Sequence, residues 1–297
     1  MCNFCIDRFF DKYKNGLKGK KVVLFGATGG IGNHLASYIL QLGGELITVD
    51  RNPQRSKLLH LKLQELFPDS KIHSLIADLS DIDSVENVCM ELESMGVDAL
   101  VHNAGAYSIP REICSSGFDN VFQINFISPY YITRKLMPDL SSRNGRVVVV
   151  GSIAHRYSKT DRYDVDFRQK HQASLAYGNA KRFWMYSAIE LAKENKSVKF
   201  AITHPGITFT NITAHYPKWL FLIIKHPMKV IFMKPKYAAL NILLGIFVDT
   251  QPDTWIGPSI FNIWGKPAIK KLNTASSAEK DFINNTAGRI YDQIQRR

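Results

Sequence analysis

Tyr177 and Lys181 stand four residues apart in the stretch SLAYGNAKRFWMYSAIELAKE, which has the pattern of a long helix. Four residues make about one helical turn, so both side chains share a face. A phenol with an ordinary pKa near 10 is a poor base at neutral pH. An ammonium within about 4–6 Å favours its ionised form and lowers that value. The pair therefore predicts a phenol made more acidic by its neighbour, suited to moving a proton on or off an oxygen atom. Taken alone, a Tyr-x-x-x-Lys spacing fits a surface pair equally well. The rest of the chain decides what it is for.

A second candidate lies near the amino terminus. The apolar, β-branched run KKVVLFG (20–26) reads as a buried strand, and GGIGNHLASYILQLGG reads as the helix after it. Between them Gly26, Gly30 and Gly32 form the turn GATGGIG. Small residues there let the backbone approach a pyrophosphate, and the helix start turns free N–H groups towards it. An ordinary tight turn is the plainer alternative. The next strand, ELITVD, ends in Asp50. A carboxylate in that place accepts hydrogen bonds from both ribose hydroxyls, which favours NAD. Arg51 follows and can pair with the 2′-phosphate of NADP. Asp50 could instead only cap the following helix.

Strand and helix patterns alternate from there. NPQRSKLLHLKLQELF has proline near its start, KIHSLIAD is a strand, and DIDSVENVCMELESMG carries acids in its first turn. VDALVHNAG and GRVVVVGS are the fourth and fifth strands, with a helix around 115–138 between them, and VKFAITHPG follows the Tyr177 helix. This alternation predicts an α/β fold, a doubly wound parallel sheet of about seven strands with helices on both faces. The predicted organisation is an extension (1–19), one domain (20–265) with an irregular insertion near 207–233, a last helix at 236–248, a last strand at 258–263, and a tail (266–297).

The 297 residues are 45% hydrophobic and 22% charged, an ordinary globular composition, and carry a formal charge of +12. No acid occurs between Glu194 and Asp249, while seven lysines do, so part of the excess is local. No nucleic-acid-binding signature accompanies it, so no nucleic-acid partner is expected. Cys2-x-x-Cys5 lacks a second pair at zinc spacing and sits in what reads as a loose terminus, so no metal site is expected. Four cysteines in a chain this long fit a reducing, cytoplasmic setting. The most apolar run, WLFLIIKHPMKVIFM, is too short and too interrupted to span a bilayer.

These motifs together resemble the classical short-chain dehydrogenase/reductases, most closely the retinol dehydrogenase-like branch. The family's Thr-Gly-x-x-x-Gly-x-Gly stands here as Phe25-Gly26-Ala27-Thr28-Gly29-Gly30-Ile31-Gly32. Its Asn-Asn-Ala-Gly stands as His102-Asn103-Ala104-Gly105. Asn125, Ser152, Tyr177, Lys181 and Pro205-Gly206 then follow in the family's order, over about residues 20–265. The resemblance implies a Rossmann-type fold and hydride exchange between an alcohol or carbonyl and NAD or NADP. It implies that Tyr177 moves the proton, that Ser152 steadies the substrate oxygen, that Lys181 also holds the nicotinamide ribose, and that Asn125 kinks its helix and positions a relay water.

By the same resemblance Gly26, Thr28, Gly29, Gly30, Ile31, Gly32, Asp50 and Arg51 bind the dinucleotide. Asp78 with Leu79 would meet the adenine, and Asn103, Ala104 and Gly105 would form the floor under its ribose. Pro205, Gly206 and Thr210 would lie at the nicotinamide, with Thr210 on the carboxamide. Plainer roles exist for several of these: a strand-end cap for Ser152, a satisfied buried amide for Asn125, a helix cap for Asp78, a plain loop for Thr210. Two positions depart from the family pattern, Phe25 in place of Thr and His102 in place of the first Asn.

The insertion after Pro205-Gly206 falls where this fold places a substrate lid. Its Phe209, Tyr216, Trp219, Leu220, Phe221 and Leu222 suggest a lipophilic alcohol or carbonyl. Apolar residues beside lysines in 216–236 also suit a peripheral membrane contact, a partner face, or core packing. The loop between Ser152 and Tyr177 is expected to border the substrate mouth. Two functions are weighed. The first is an NAD(P)-dependent oxidoreductase acting on an apolar small molecule. The second is a non-catalytic dinucleotide-binding regulator or scaffold, which would have no need of Ser152, Tyr177 and Lys181 together. A nucleotide-sugar epimerase ranks below both. By analogy, the helices around Tyr177 and Ala239 are candidate homodimer faces.

Overall fold

A computed structural model of the chain describes residues 3–170, 172–208 and 233–297. The predicted alternation is present. β1 (Lys21–Phe25), β2 (Glu45–Asp50), β3 (Ile72–Ile76), β4 (Ala99–His102), β5 (Arg146–Val150) and β6 (Lys199–Thr203) are parallel, and β7 (Thr254–Ile260) continues them. The order across the sheet is β3-β2-β1-β4-β5-β6-β7-β8, and β8 (Trp264–Lys271) runs antiparallel at the edge. The chain reverses between β1 and β4, so a crevice opens beyond the carboxyl ends of the strands at that point.

Helices cover both faces, as buried parallel strands require. Val22, Val23 and Leu24 of β1 are wholly buried because one layer lies above them and another below. On one side lie α2 (Gly30–Gln41), α3 (Pro53–Leu66) and α9 (Pro235–Phe247), which bury Leu35, Leu59 and Leu243. On the other lie α4 (Ile82–Met95), α5 (Asn120–Phe122), α6 (Ser128–Lys135), α7 (Met137–Ser142) and α8 (Ala173–Glu194), with Leu92, Phe122 and Phe183 in the core. Between α5 and α6 the helix widens into a π turn, Gln123–Ile127, centred on Asn125.

Three readings of the ends need correction. The single last strand expected at 258–263 is two strands, β7 and β8, so the sheet has eight. Proline pairs with proline there (Pro258 with Pro267), and the register shifts between Pro258 and Ile260. Proline breaks the strand signal, yet it is tolerated at an edge or a bulge. The tail is also structured: the boundary at 265 falls inside β8, and α10 (Ser277–Gln295) buries Ile283, Ala287, Ile290 and Ile294 in the same core as Phe183. At the other end, α1 (Asn3–Lys12) replaces the loose terminus. Tyr13 stacks on Phe247 at 4.4 Å and Phe10 meets Tyr38 at 5.0 Å. Almost all of the expected lid, including Thr210 and residues 209–232, lies outside the described residues.

Candidate active site

β1 delivers the chain into the glycine turn, where backbone presses on backbone. Gly26 holds φ +78, and a Cβ there would lie 2.8 Å from Ala104 Cα. A Cβ on Gly32 would lie 2.0 Å from the Gly26 carbonyl oxygen. Asn103 Nδ2 donates to that same oxygen at 2.9 Å, tying the end of β4 to the turn. Gly29 begins α2 without a side-chain cap, which leaves the first N–H groups of α2 for another acceptor.

Asp50 closes β2 and is almost wholly buried. Its Oδ1 accepts from the Thr28 N–H at 2.9 Å and from the Thr28 hydroxyl at 2.7 Å. Burial pushes its carboxyl up, and the two Thr28 bonds pull against that. Its Oδ2 is buried without a partner. Capping does not account for Asp50, because Asn52 caps α3 through the Arg55 N–H at 2.9 Å. Nor does it account for Asp78. That residue accepts from the Ser80 N–H (2.9 Å) and hydroxyl (2.7 Å), while Asp81 caps α4.

A cavity of about 410 Å³ runs along these groups, from Arg51, Asp78 and Leu79 past Gly30 and Ile31 to Gly105 and Tyr107. An orphaned buried carboxylate oxygen, an uncapped helix start and a glycine cradle that admits no Cβ are what a dinucleotide needs: a hydroxyl partner, anion-binding N–H groups and close backbone approach. The residues fit that group.

The far end is built by longer contacts. Asn125 Nδ2 donates to the carbonyls of Ala106 and Val121, both at 2.8 Å, and its Oδ1 accepts from Ala106 N–H at 3.2 Å. The π turn therefore aims one amide at the loop after β4, a use to which such turns are often put. Gly105 lies between the groups: a Cβ on it would sit 2.8 Å from Asn125 Oδ1 and 3.4 Å from Lys181 Nζ. Lys181 is buried and donates to the Val150 carbonyl at 3.0 Å, with Nζ 5.7 Å from the centre of the Tyr177 ring. Ser152 begins a short 3-10 turn (Ile153–Arg156) and accepts from Ala154 N–H at 3.2 Å. Its hydroxyl also lies near the Tyr177 phenol and opposes the rise in that group's pKa.

The acidified phenol is corrected here. Burial pushes Tyr177 up to about 12, with the nearby Ser152 hydroxyl opposing the rise and Tyr107 adding to it. Burial also pulls Lys181 down to about 8. With Nζ committed to Val150 and placed over the ring, desolvation outweighs the charge that the four-residue spacing supplies.

The structure thus brings Asn125, Ser152, Tyr177 and Lys181 around Gly105, at the Tyr107 end of the crevice. Ser152, Tyr177 and Lys181 are not among the residues that line this cavity, and Ser152 and Tyr177 are partly exposed. Pro205 and Gly206 follow β6 outside that wall, and Gly206 (φ +87) backs onto Ile263 and Pro258. The two departures from the family pattern meet each other: Phe25 and His102 are in register on β1 and β4, and their rings stack at 5.0 Å. His102 Nε2 lies 2.9 Å from Thr133 Oγ1, and burial pulls the imidazole down to about 3, so it stays neutral.

Three further residues shape this end and were not anticipated. Tyr107 meets the Tyr177 ring edge-on at 5.3 Å. Arg182, next to Lys181, forms a buried pair with Glu279 of α10, its Nε 2.7 Å from Oε1 and its Nη2 2.6 Å from Oε2. Ser276 and Glu279 carry the Ser-x-x-Glu signature of a helix start, a sequence signal pointing to α10.

Comparison with known proteins agrees with this geometry. The family model described as short chain dehydrogenase matches residues 20–220. The chain belongs to the short-chain dehydrogenase family. Retinol dehydrogenase 14 of Mus musculus is 31% identical over 214 residues, 67% of this chain and 64% of its own length. Polyprenol dehydrogenase of the same species is 25% identical over 233 residues, covering 74% of this chain and 69% of that one. This short-chain dehydrogenase therefore spans somewhat under two thirds of the retinol dehydrogenase it matches. Among solved structures, an uncharacterised protein from Mycobacterium paratuberculosis has a TM-score of 0.74 at 21% identity, covering 95% of this chain and 97% of that one. A short-chain dehydrogenase from Sphingobium yanoikuyae, solved with NADPH, has a TM-score of 0.55 at 22% identity, covering 66% and 74%. Both establish the shared fold.

Proposed function

We propose that this short-chain dehydrogenase interconverts an alcohol and a carbonyl on a lipophilic small molecule, using Ser152, Tyr177, Lys181 and Asn125 with NAD in preference to NADP. The observation that carries the reading is the convergence of the Lys181 ammonium and the Asn125 amide on Gly105, where the dinucleotide crevice ends, with the Tyr177 phenol and the Ser152 hydroxyl beside them. A bound nicotinamide dinucleotide supplies or accepts the hydride. Ser152 holds the substrate oxygen and steadies charge as it develops there. Tyr177, a phenol and so protonated at neutral pH, gives its proton to that oxygen in the reductive direction. Asn125 holds Ala106 of the loop after β4 against the site, and Lys181, bonded to the Val150 carbonyl, keeps its ammonium beside the phenol.

The preference for NAD rests on Asp50, whose unpartnered Oδ2 can accept from a ribose hydroxyl and repels a 2′-phosphate. Arg51, at the same end of the cavity, works the other way. The lipophilic substrate rests on Tyr107, Ile109 and Ile124 along the cavity wall, and on relatives named for retinol and polyprenol. The test is NADH oxidation with a panel of apolar aldehydes and ketones, run on the wild type and on Tyr177→Phe. We expect turnover by the wild type and a loss of roughly 10²–10⁴-fold in the variant, with NADH fluorescence titrations nearly superimposable. Full activity in Tyr177→Phe, or tight NADH binding without turnover across a broad panel, would overturn the reading.

A further inference from the structure

The hairpin of β7 and β8 ends in an exposed apolar tip. Phe261 is 81% exposed, Ile260 46%, Trp264 38%, and Ile269 further along β8 51%. Phe261 and Trp264 meet edge to face at 6.4 Å. The Ile263 N–H donates to the Ile260 carbonyl at 2.9 Å and closes the turn, with Phe261 at φ +49 and Asn262 at φ +59. Such two-residue turns favour Asn-Gly, and a bulky residue at positive φ is disfavoured. Phenylalanine is therefore unfavourable there both for its backbone and for its exposure.

The tip is fixed. Lys270 Nζ donates to the Pro258 carbonyl and to Asn262 Oδ1, the latter at 2.9 Å. His204 Nε2 lies 3.1 Å from the Asn262 carbonyl oxygen, which seats the turn on the chain leaving β6. That places it at the carboxyl edge of the sheet, the edge on which the Tyr177 site opens. The charge beside the tip is basic: Lys266 is exposed two residues after Trp264, and the Lys270 ammonium lies at the turn itself.

We propose that this tip is a membrane-contact element, in which Phe261, Ile260 and Trp264 enter the interfacial zone of an anionic lipid bilayer while Lys266 beside them meets its headgroups. Aromatic rings settle at that zone, and basic residues add attraction to anionic lipid. Charge selects the bilayer over a second copy of the chain. A self-complementary contact brings the same patch of both subunits together, which would set these lysines near their own equivalents. The contact would place the site's edge beside a reservoir of apolar substrate. It rests on the lipophilic-substrate reading for its purpose only, because binding is measured without turnover.

The experiment is co-sedimentation of the full chain with vesicles of phosphatidylcholine containing about one quarter phosphatidylserine, at about 0.1 M salt, where charges act over ~10 Å. Phe261→Asp is the first variant, and Lys266→Glu the second. Both positions are exposed, so melting temperatures should hold and serve as the folding control. We expect binding to the anionic vesicles, weakened about tenfold by either variant. Three outcomes overturn the proposal: equal binding by wild type and Phe261→Asp, which puts any contact elsewhere; no binding by the wild type; or a dimer that Phe261→Asp converts to monomer without vesicle binding.

Discussion

The two ends of the crevice are held by different means. At the glycine end, backbone meets backbone and short polar side chains brace it: Asn103 to Gly26, Thr28 to Asp50, Ser80 to Asp78. Every partner sits at the end of one of the first four strands or in the loop that follows. At the Tyr177 end, the positions depend on a distant part of the chain. Glu279 grips Arg182 and accepts from the Thr160 N–H at 3.1 Å, while Arg182 Nη1 donates to the His155 carbonyl at 2.9 Å. Gly178 lets α8 lie against that same segment, since a Cβ on it would come within 2.4 Å of the Ala154 oxygen. Thus α10 clamps the loop that starts at Ser152 onto the helix that carries Tyr177 and Lys181. One end is fixed by shape, the other by a buried charge pair.

Breaking that pair gives the largest effect on stability and separates the two ends. Glu279→Gln leaves the Arg182 guanidinium buried without its carboxylate, a change that costs about 3–5 kcal/mol in comparable cases. Urea unfolding should show that loss. In the folded fraction NADH affinity should change by no more than about twofold, because no dinucleotide-facing group is touched. A loss of NADH binding that matches the loss of stability would show that the two ends are one cooperative unit and not two.

This difference also explains what could be read in the sequence. Gly26, Gly32, Asp50 and Asn103 sit at strand ends in short motifs, so order and spacing reveal both the fold and the crevice. The set Asn125, Ser152, Tyr177 and Lys181 is legible as residue types in order. Its electrostatics are not, because burial around Tyr177 and Lys181 is a property of the whole packed layer, and it reverses the shift that the four-residue spacing suggests. The antiparallel β8 is hidden by Gly265, Pro267 and three lysines, which break the alternation that marks a strand. The role of Arg182 could not be inferred at all, since its partner lies 97 positions away.

A smaller effect tests the glycine end alone. Asp50→Ala removes the unpartnered oxygen proposed to meet the ribose and also the acceptor for Thr28, so both dinucleotides should bind less tightly. The ratio of NADH to NADPH affinity cancels the shared loss. A hydrogen bond to a charged group contributes about 1.5–3 kcal/mol, so the preference for NADH should narrow by about tenfold or more. An unchanged ratio would mean that Asp50 serves only to hold Thr28 and that Arg51 or another group reads the ribose.

The smallest effect tests the other end through pH. Lys181 has an ordinary value of 10.5 in the unfolded chain and about 8 when folded, because burial disfavours its charge. Between those values the unfolded chain binds a proton that the folded chain lacks, so stability rises with pH across that window. Below it both states are charged and the folded protein carries the full desolvation cost. Above it both are neutral and the cost is gone. Tyr177, raised from 10 to about 12, acts with the opposite sign at higher pH. The Cys89 and Cys114 thiols, raised from 9 to about 12 and about 11, do the same. Comparison with a variant that keeps all three groups isolates the lysine between pH 8 and 10. Urea unfolding across that window, compared with Lys181→Met, should show the wild type gaining on the variant by at most about 1.4 kcal/mol per pH unit. Parallel curves would show that the ammonium is hydrated in solution, and the burial assigned to this end of the crevice would have to be given up.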